Sequence, residues 1–222
     1  FDRNVQAENS GIMITLIKDD CMNFLASCKD KEFELAIVDP PYDIDINMNM
    51  GLKKGQRKRH ENKAWDKNAP PHEYFTELQR VSINQIIWGG NYFDLPANKH
   101  FIFWNKLNPD GMSFSDGEYA WTSFDRAIRM FTFRNITGDK IHPTQKPVQL
   151  YKWLLKNYAK EGDRILDTHL GSMSSVIAAI DGGFDMVGCE LDEDYFKAGV
   201  QRVQNHVSQL DMFIERPEIK II

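Results

Sequence analysis

The last third of the chain alternates short apolar runs with segments of helical periodicity, and that alternation limits the fold more than any other feature. RILD (164–167) and MVGCE (186–190) read as strands, while SSVIAAI opens a helix at Ser174 that stops at Gly182 and Gly183. Before them, Pro147 suits a first helical turn. The apolar residues Val148, Tyr151, Leu154, Leu155 and Tyr158 keep spacings of three and four, with Gly162 as the expected stop. A final helix carries Phe196, Val200, Val203, Val207 and Leu210 on one face. Strands alternating with helices predict an α/β fold with a mostly parallel sheet.

The upstream part is consistent with this. MITLI (13–17) reads as a β-branched strand and residues 20–27 as a short helix capped by Asp19 or Asp20. Residues 35–38 form a continuous apolar run of the kind buried on both faces of a parallel sheet. Residues 74–80 look helical, and 85–88 and 100–104 look like strands. Periodicity vanishes between Ile44 and Pro71, so 43–71 is expected to be a long loop, functional or disordered. Residues 105–140, with aromatics scattered through them, fit neither helix nor strand.

A length of 222 residues suits one domain over 13–222, with 1–12 read as a flexible or extraneous end. No apolar run is long enough to span a bilayer, which removes the membrane class. Cys21, Cys28 and Cys189 form no Cys-x-x-Cys pair, and no cysteine and histidine cluster has metal-ligand spacing; a reducing cytoplasm and no bound metal are expected. The net charge of -5 argues against a protein that coats nucleic acid. Charge is uneven, however, and Lys53, Lys54, Arg57, Lys58 and Arg59 crowd one stretch that is either a phosphate-binding patch or a solvated charge run.

Three strands end in acids. Asp167 precedes a short loop (168–174) containing Gly171 and leading into a helix, the place where open parallel sheets cradle nucleotides on outward-facing N–H groups. Read alone, the loop is better taken as an ordinary turn whose helix is capped by Ser172 or Ser174. Glu190, 23 residues later, stands where such folds place a carboxylate for both hydroxyls of a ribose, though it would also serve to cap the helix starting near Asp192. Three glycines of a dinucleotide fingerprint are not present, which disfavours an NAD enzyme.

The third acid is Asp39, in LAIVDPPYD (35–43). Pro40 has a fixed φ and no N–H, and Pro41 holds Pro40 extended, so the segment is a rigid arm. It would set the Asp39 carboxylate and the Pro40 carbonyl as two acceptors facing one point, with the Tyr42 ring covering a flat group. Two acceptors and an aromatic lid suit a planar ligand with an NH2 group, such as adenine or cytosine. Accepting both hydrogens of that amine favours a pyramidal nitrogen with an available lone pair, ready for in-line attack on an electrophilic methyl group.

With these motifs in view, the chain resembles the amino-group DNA methyltransferases that use S-adenosylmethionine. DPPY (39–42) resembles their catalytic motif, in the form more typical of adenine N6 than of cytosine N4 methylation. HPTQKPVQL (142–150) resembles the segment before the cofactor loop, DTHLGSMSS (167–175) that loop, and Glu190 the ribose-binding acid. The order, catalytic motif first, is similar to the permuted beta subgroup, and to small phage-type adenine methylases in particular.

The resemblance implies a Rossmann-like methyltransferase fold. It implies that Asp39, Pro40, Pro41 and Tyr42 bind the target amine and base, and that Asp167, Thr168, His169, Gly171, Ser172, Ser174 and Glu190, with Asp39, hold S-adenosylmethionine. His142, Thr144, Gln145 and Lys146 are implied to lie near its methionine end. DNA, as a duplex whose target base is flipped out, is the implied partner; a homodimer is also in keeping with the subgroup. Residues 105–140, with Arg126, Arg129 and Arg134, are the expected recognition segment unless their aromatics are simply core. Met173 departs from the pattern, standing where the family has a second glycine; a side chain there would either narrow the loop or reshape the approach to the cofactor, bearing on affinity rather than on the fold. Cytosine N4 or RNA adenine methylation, or an inert cofactor- or DNA-binding module, are the alternative functions.

Overall fold

The computed structural model describes residues 11–42, 69–108, 115–134, 140–209 and 216–222. The elements are, in order, β1 (Met13–Ile17), α1 (Cys21–Ser27), β2 (Phe33–Val38), α2 (His72–Val81), β3 (Ser82–Trp88), β4 (Phe101–Asn105), β5 (Gly117–Thr122), β6 (Arg129–Thr132), α3 (Val148–Tyr158), β7 (Ile165–Asp167), α4 (Ser174–Gly182), β8 (Met186–Cys189), α5 (Glu193–Ser208) and β9 (Glu218–Ile221). The described strands form one sheet in the order β6-β4-β5-β3-β2-β7-β8-β1-β9. Among them only β5 runs against its neighbours, β3 and β4.

The apolar run in β2 is buried on both faces, and its side chains separate by parity. Leu35 and Ile37 join a core that includes residues of α3, α4 and α5; Ala36 and Val38 join a second core with α2 and Leu25 of α1. A strand that feeds two cores has no polar face to alternate with, which explains its continuous hydrophobicity.

Local signals account for most helix ends. Asp20 accepts the Met22 N–H at the start of α1, and Asp192 accepts the N–H groups of Asp194 and Tyr195 at the start of α5. Gly183 closes α4 in the left-handed conformation, its N–H returning to the α4 carbonyls of Ala179 and Ile180. Two expectations are corrected. Helix α3 ends at Tyr158, before Gly162, which instead occupies a left-handed position in the tight turn closed by the Asp163 N–H on the Lys160 carbonyl. Neither Ser172 nor Ser174 caps α4: its cap position is Met173, with no side-chain capping bond.

The unassigned stretch contains β5 and β6. In β5 the first three residues are half-buried and the last three buried, so no alternation marks it as a strand. From β2 the chain moves outward to β3, and from β7 it moves outward the other way to β8, which puts the topological switch point between β2 and β7. Asp39 and Asp167 stand at the carboxyl ends of these two adjacent strands, where ligands of open α/β sheets bind. Among the described residues no helix is long and apolar enough to cross a membrane.

Candidate active site

Asp39 lies at the centre of a charged cluster. Tyr42 Oη donates to Asp39 Oδ1 at 2.5 Å, and Lys146 Nζ donates to Asp39 Oδ2 at 2.5 Å. Lys146 Nζ also lies 3.0 Å from Glu118 Oε2, whose other oxygen is 2.6 Å from Lys106 Nζ. Burial works against the charge of Glu118, but Lys146 and Lys106 outweigh it and hold the carboxyl down at about 2. Burial likewise opposes the charge of Lys146, and Asp39 and Glu118 overcome it, raising its pKa above the ordinary lysine value. For Tyr42, burial first and the Asp39 charge second push the phenol well up, so it remains a protonated donor.

The Tyr42 ring stacks on Tyr92 (centroids 5.1 Å apart, 15° between planes) and meets Phe93 edge-on. Gly89 makes room for it. That residue sits at φ 68°, and a Cβ there would overlap the Tyr42 ring. Gly89→Ala is therefore expected to dislodge Tyr42 and lower kcat about tenfold, with stability reduced by about 1–3 kcal/mol from strain and displacement. Steady-state kinetics and thermal melting of the variant check this; an unchanged kcat would remove Tyr42 placement from the account.

Across the crevice, the loop after β7 is held from several sides. Asp167 Oδ2 accepts from Ser175 Oγ at 2.6 Å and Oδ1 from the His169 N–H at 3.0 Å. Glu190 accepts the Gly171 N–H at 2.7 Å on one oxygen and the Asp192 N–H at 2.8 Å on the other. Asp192 itself caps α5, so capping that helix does not occupy the Glu190 carboxylate. The Glu190 carboxylate, with about four lone-pair sites, retains acceptor capacity for a hydroxyl. Leu170 N–H ties the loop to the Cys189 carbonyl at the end of β8.

HPTQKP lies over this loop and links it to Asp39. His142 packs edge-on against Tyr195 at 4.3 Å, and a Cβ on Gly171 would touch its ring at 3.6 Å. Thr144 Oγ1 lies 3.1 Å from His142 Nδ1, and Gln145 Oε1 accepts the Ile141 N–H. The segment thus flanks the loop at its start and reaches Asp39 with Lys146 four residues later.

Several expected site residues have partners within the protein. Ser172 and Ser174 hydroxyls lie 3.1 Å apart, and Arg202 Nη1 donates to the Ser172 carbonyl and to Ser174 Oγ. Thr168 Oγ1 is 2.6 Å from Tyr74 Oη and 2.9 Å from His169 Nδ1. Met173 takes the left-handed conformation (φ 57°) that a glycine would favour, yet its side chain is buried against Gly199 of α5. It points into the core.

The basic residues Lys53, Lys54, Arg57, Lys58 and Arg59 lie outside the described residues. Arg126 is engaged with α3, donating to the Asn157 carbonyl and lying over the Phe124 and Tyr158 rings; Arg129 and Arg134 are exposed. Sequence reasoning missed Glu118, Tyr92, Gly89 and Arg202. Of these, only Gly89 carries a local signal, as the first of two glycines that follow the apolar run of β3.

Burial raises Asp167 to about 7, above the usual carboxylate value. The folded state then binds a proton that the unfolded chain has already lost, so stability falls as pH rises from about 4 to about 7. Asp167→Asn is expected to remove this part of the slope, a difference on the order of a few kcal/mol across the window, read from denaturant unfolding at several pH values. Parallel curves for the two proteins would contradict it.

The crevice fits a nucleoside cofactor. A glycine in the left-handed conformation beneath His142, a helix start lacking a side-chain cap, and a carboxylate with acceptor capacity left at the next strand end are the parts such a ligand needs. Comparison with known proteins agrees. A family model described as DNA methylase, for the N6 and N4 amino-group enzymes, matches residues 87–201. The DNA adenine methyltransferase YhdJ of Escherichia coli (strain K12) is 38% identical, over 87% of this chain and 84% of its own. Among solved structures, the M1.HpyAVI–SAM complex has a TM-score of 0.57 at 18% identity, covering 86% of this chain and all of that one. PvuII DNA methyltransferase, cytosine-N4-specific, has a TM-score of 0.59 at 14% identity, covering 93% and 89%.

Proposed function

We propose a specific reaction for this chain, which belongs to the DNA methylase family and uses S-adenosylmethionine: methylation of the exocyclic N6 amine of adenine in DNA. The juxtaposition that carries the reading is Asp39 and Tyr42 beside the Gly171–Glu190 crevice, an acceptor and a flat ring next to a nucleoside cradle. The choice of adenine is supported by the DNA adenine methyltransferase at 38% identity and by the leading Asp39 of the motif.

When bound, the cofactor supplies an electrophilic methyl group on a sulfonium sulfur. Glu190 would take the ribose hydroxyls, and the Gly171 loop, beside Asp167 and His142, would take the rest of the nucleoside. Asp39 and the Pro40 carbonyl would accept the two amine hydrogens and turn the nitrogen lone pair outward, and the Tyr42 ring would stack on the base. Because N6 cannot be reached inside stacked duplex DNA, the base would be flipped out, with Lys53, Lys54, Arg57, Lys58 and Arg59 holding phosphates. A homodimer is part of the same proposal.

The second reading, cytosine N4, is favoured by the likeness to the cytosine-N4-specific PvuII enzyme and by a family model that spans both amines. Methyl-labelled S-adenosylmethionine, incubated with mixed-sequence duplex DNA and separately with RNA and then digested to nucleosides, decides. Label in N6-methyl-2′-deoxyadenosine from DNA is expected. Label in N4-methylcytosine would move the substrate to cytosine, and label on a ring carbon would overturn amine chemistry.

A further inference from the structure

We propose that Lys146 and Glu118 are positioning residues: Lys146 pins one oxygen of Asp39 so that the other faces the target amine, and Glu118 holds Lys146 there. The inference rests on the amine-methylation reading above. A carboxylate free to turn about its last torsion presents either oxygen in many directions, whereas accepting one defined amine hydrogen requires a fixed one. The contacts divide Asp39 accordingly, with Oδ2 on Lys146 Nζ and Oδ1 on Tyr42 Oη. The Tyr42 hydroxyl is a neutral donor that an amine N–H can replace; the ammonium is a charge-assisted one that stays.

Lys146 suits a fixed clamp. Its side chain is 3% exposed, and its ammonium lies 5.3 Å from the Trp88 ring centroid, so water neither screens it nor offers it other positions. A buried ammonium with a single anion would compete with the incoming amine for that anion. Glu118 supplies a second anion from β5, at 3.0 Å, and Lys106 balances Glu118 from the outer side at 2.6 Å. The charges of Asp39, Glu118, Lys146 and Lys106 cancel, so the cluster presents no net charge to the ligand. Tyr42, Tyr151 and Asp167 are the further titratable groups that act on it.

Glu118→Gln keeps the shape and removes the second anion. The expected result is a kcat about tenfold lower, with the Kd for S-adenosylmethionine within about twofold of wild type. The alkaline limb of kcat is expected to move to lower pH, because Lys146 loses one of the charges that retain its proton. Glu118→Asp, which keeps the charge, is expected to restore the wild-type limb and part of kcat. A merely structural role would lower the melting temperature and leave the limb in place.

An unchanged kcat and limb in folded Glu118→Gln would overturn the proposal, as would a loss confined to cofactor Kd, which would assign Lys146 to the cofactor. NMR titration of carbon-labelled lysine supplies a readout independent of turnover. The Lys146 midpoint is expected to be lower in Glu118→Gln than in wild type, and equal midpoints would overturn the clamp. A wild-type enzyme that methylates no amine would instead overturn the functional reading, leaving the NMR result to decide the contact network.

Discussion

Asp39→Ala is expected to lower kcat about 10³-fold while the Kd for S-adenosylmethionine changes by less than about tenfold. In the proposed reaction the residue supplies the acceptor that converts an amine with a delocalised lone pair into a nucleophile, and losing one preorganised electrostatic contact of this kind costs about 10²–10³ in rate. Misplacement of what remains adds to this. Lys146, deprived of the anion 2.5 Å away, keeps only Glu118 and is drawn toward it, away from the crevice. The protein should remain folded, with stability lower by about 1–2 kcal/mol, because Lys146 retains a partner and is not left as an unpaired buried charge. Single-turnover methylation alongside calorimetric cofactor titration separates the two quantities. A kcat within tenfold of wild type would move the chemistry away from β2.

Glu190→Ala is expected to show the opposite division, with the Kd for S-adenosylmethionine raised about 10²-fold and kcat at saturating cofactor within a few-fold. Two hydroxyls bound to one ionised carboxylate are worth about 1.5–3 kcal/mol each before desolvation is subtracted, which leaves a factor of that order. The substitution also strips the Gly171 and Asp192 N–H groups of their acceptor, so the loop after β7 loses a tie to β8. The Leu170 N–H still binds the Cys189 carbonyl and keeps the loop near its place. A cofactor affinity equal to wild type would mean that the ribose is held elsewhere.

Where the sequence was legible, one local force sufficed. β1 could be read because β-branched residues cluster in it, and α1 because Asp20 is both a capping residue and its actual cap. β2 could be read because a strand feeding two cores must be apolar throughout, and the acid after it marks the start of the Asp39–Tyr42 arm. The crevice was legible for the same reason, since Asp39, Asp167 and Glu190 each close an apolar run.

What stayed hidden depends on distant parts of the chain. β5 inserts antiparallel between β3 and β4, and its burial follows from those neighbours rather than from any pattern of its own. Glu118 belongs to that strand, so nothing local in the sequence marks it as the acid that touches Lys146. Met173 misled for a related reason. Its backbone takes the left-handed geometry expected of a glycine, but Gly199 on α5, far along the chain, gives its side chain room in the core. The serines at 172 and 174 looked like caps, yet Arg202 of α5 engages them both.

The central claim is that the crevice between β2 and β7 brings a nucleoside cofactor and an amine-binding acid together. The most direct measurement is a crystal structure of the wild-type protein with S-adenosylhomocysteine. The account predicts ribose hydroxyls on the Glu190 carboxylate, the nucleoside along the Gly171 loop, and the sulfur directed toward Asp39 and Pro40. A nucleoside seated away from Gly171 and Glu190, or a sulfur turned from Asp39, would contradict it.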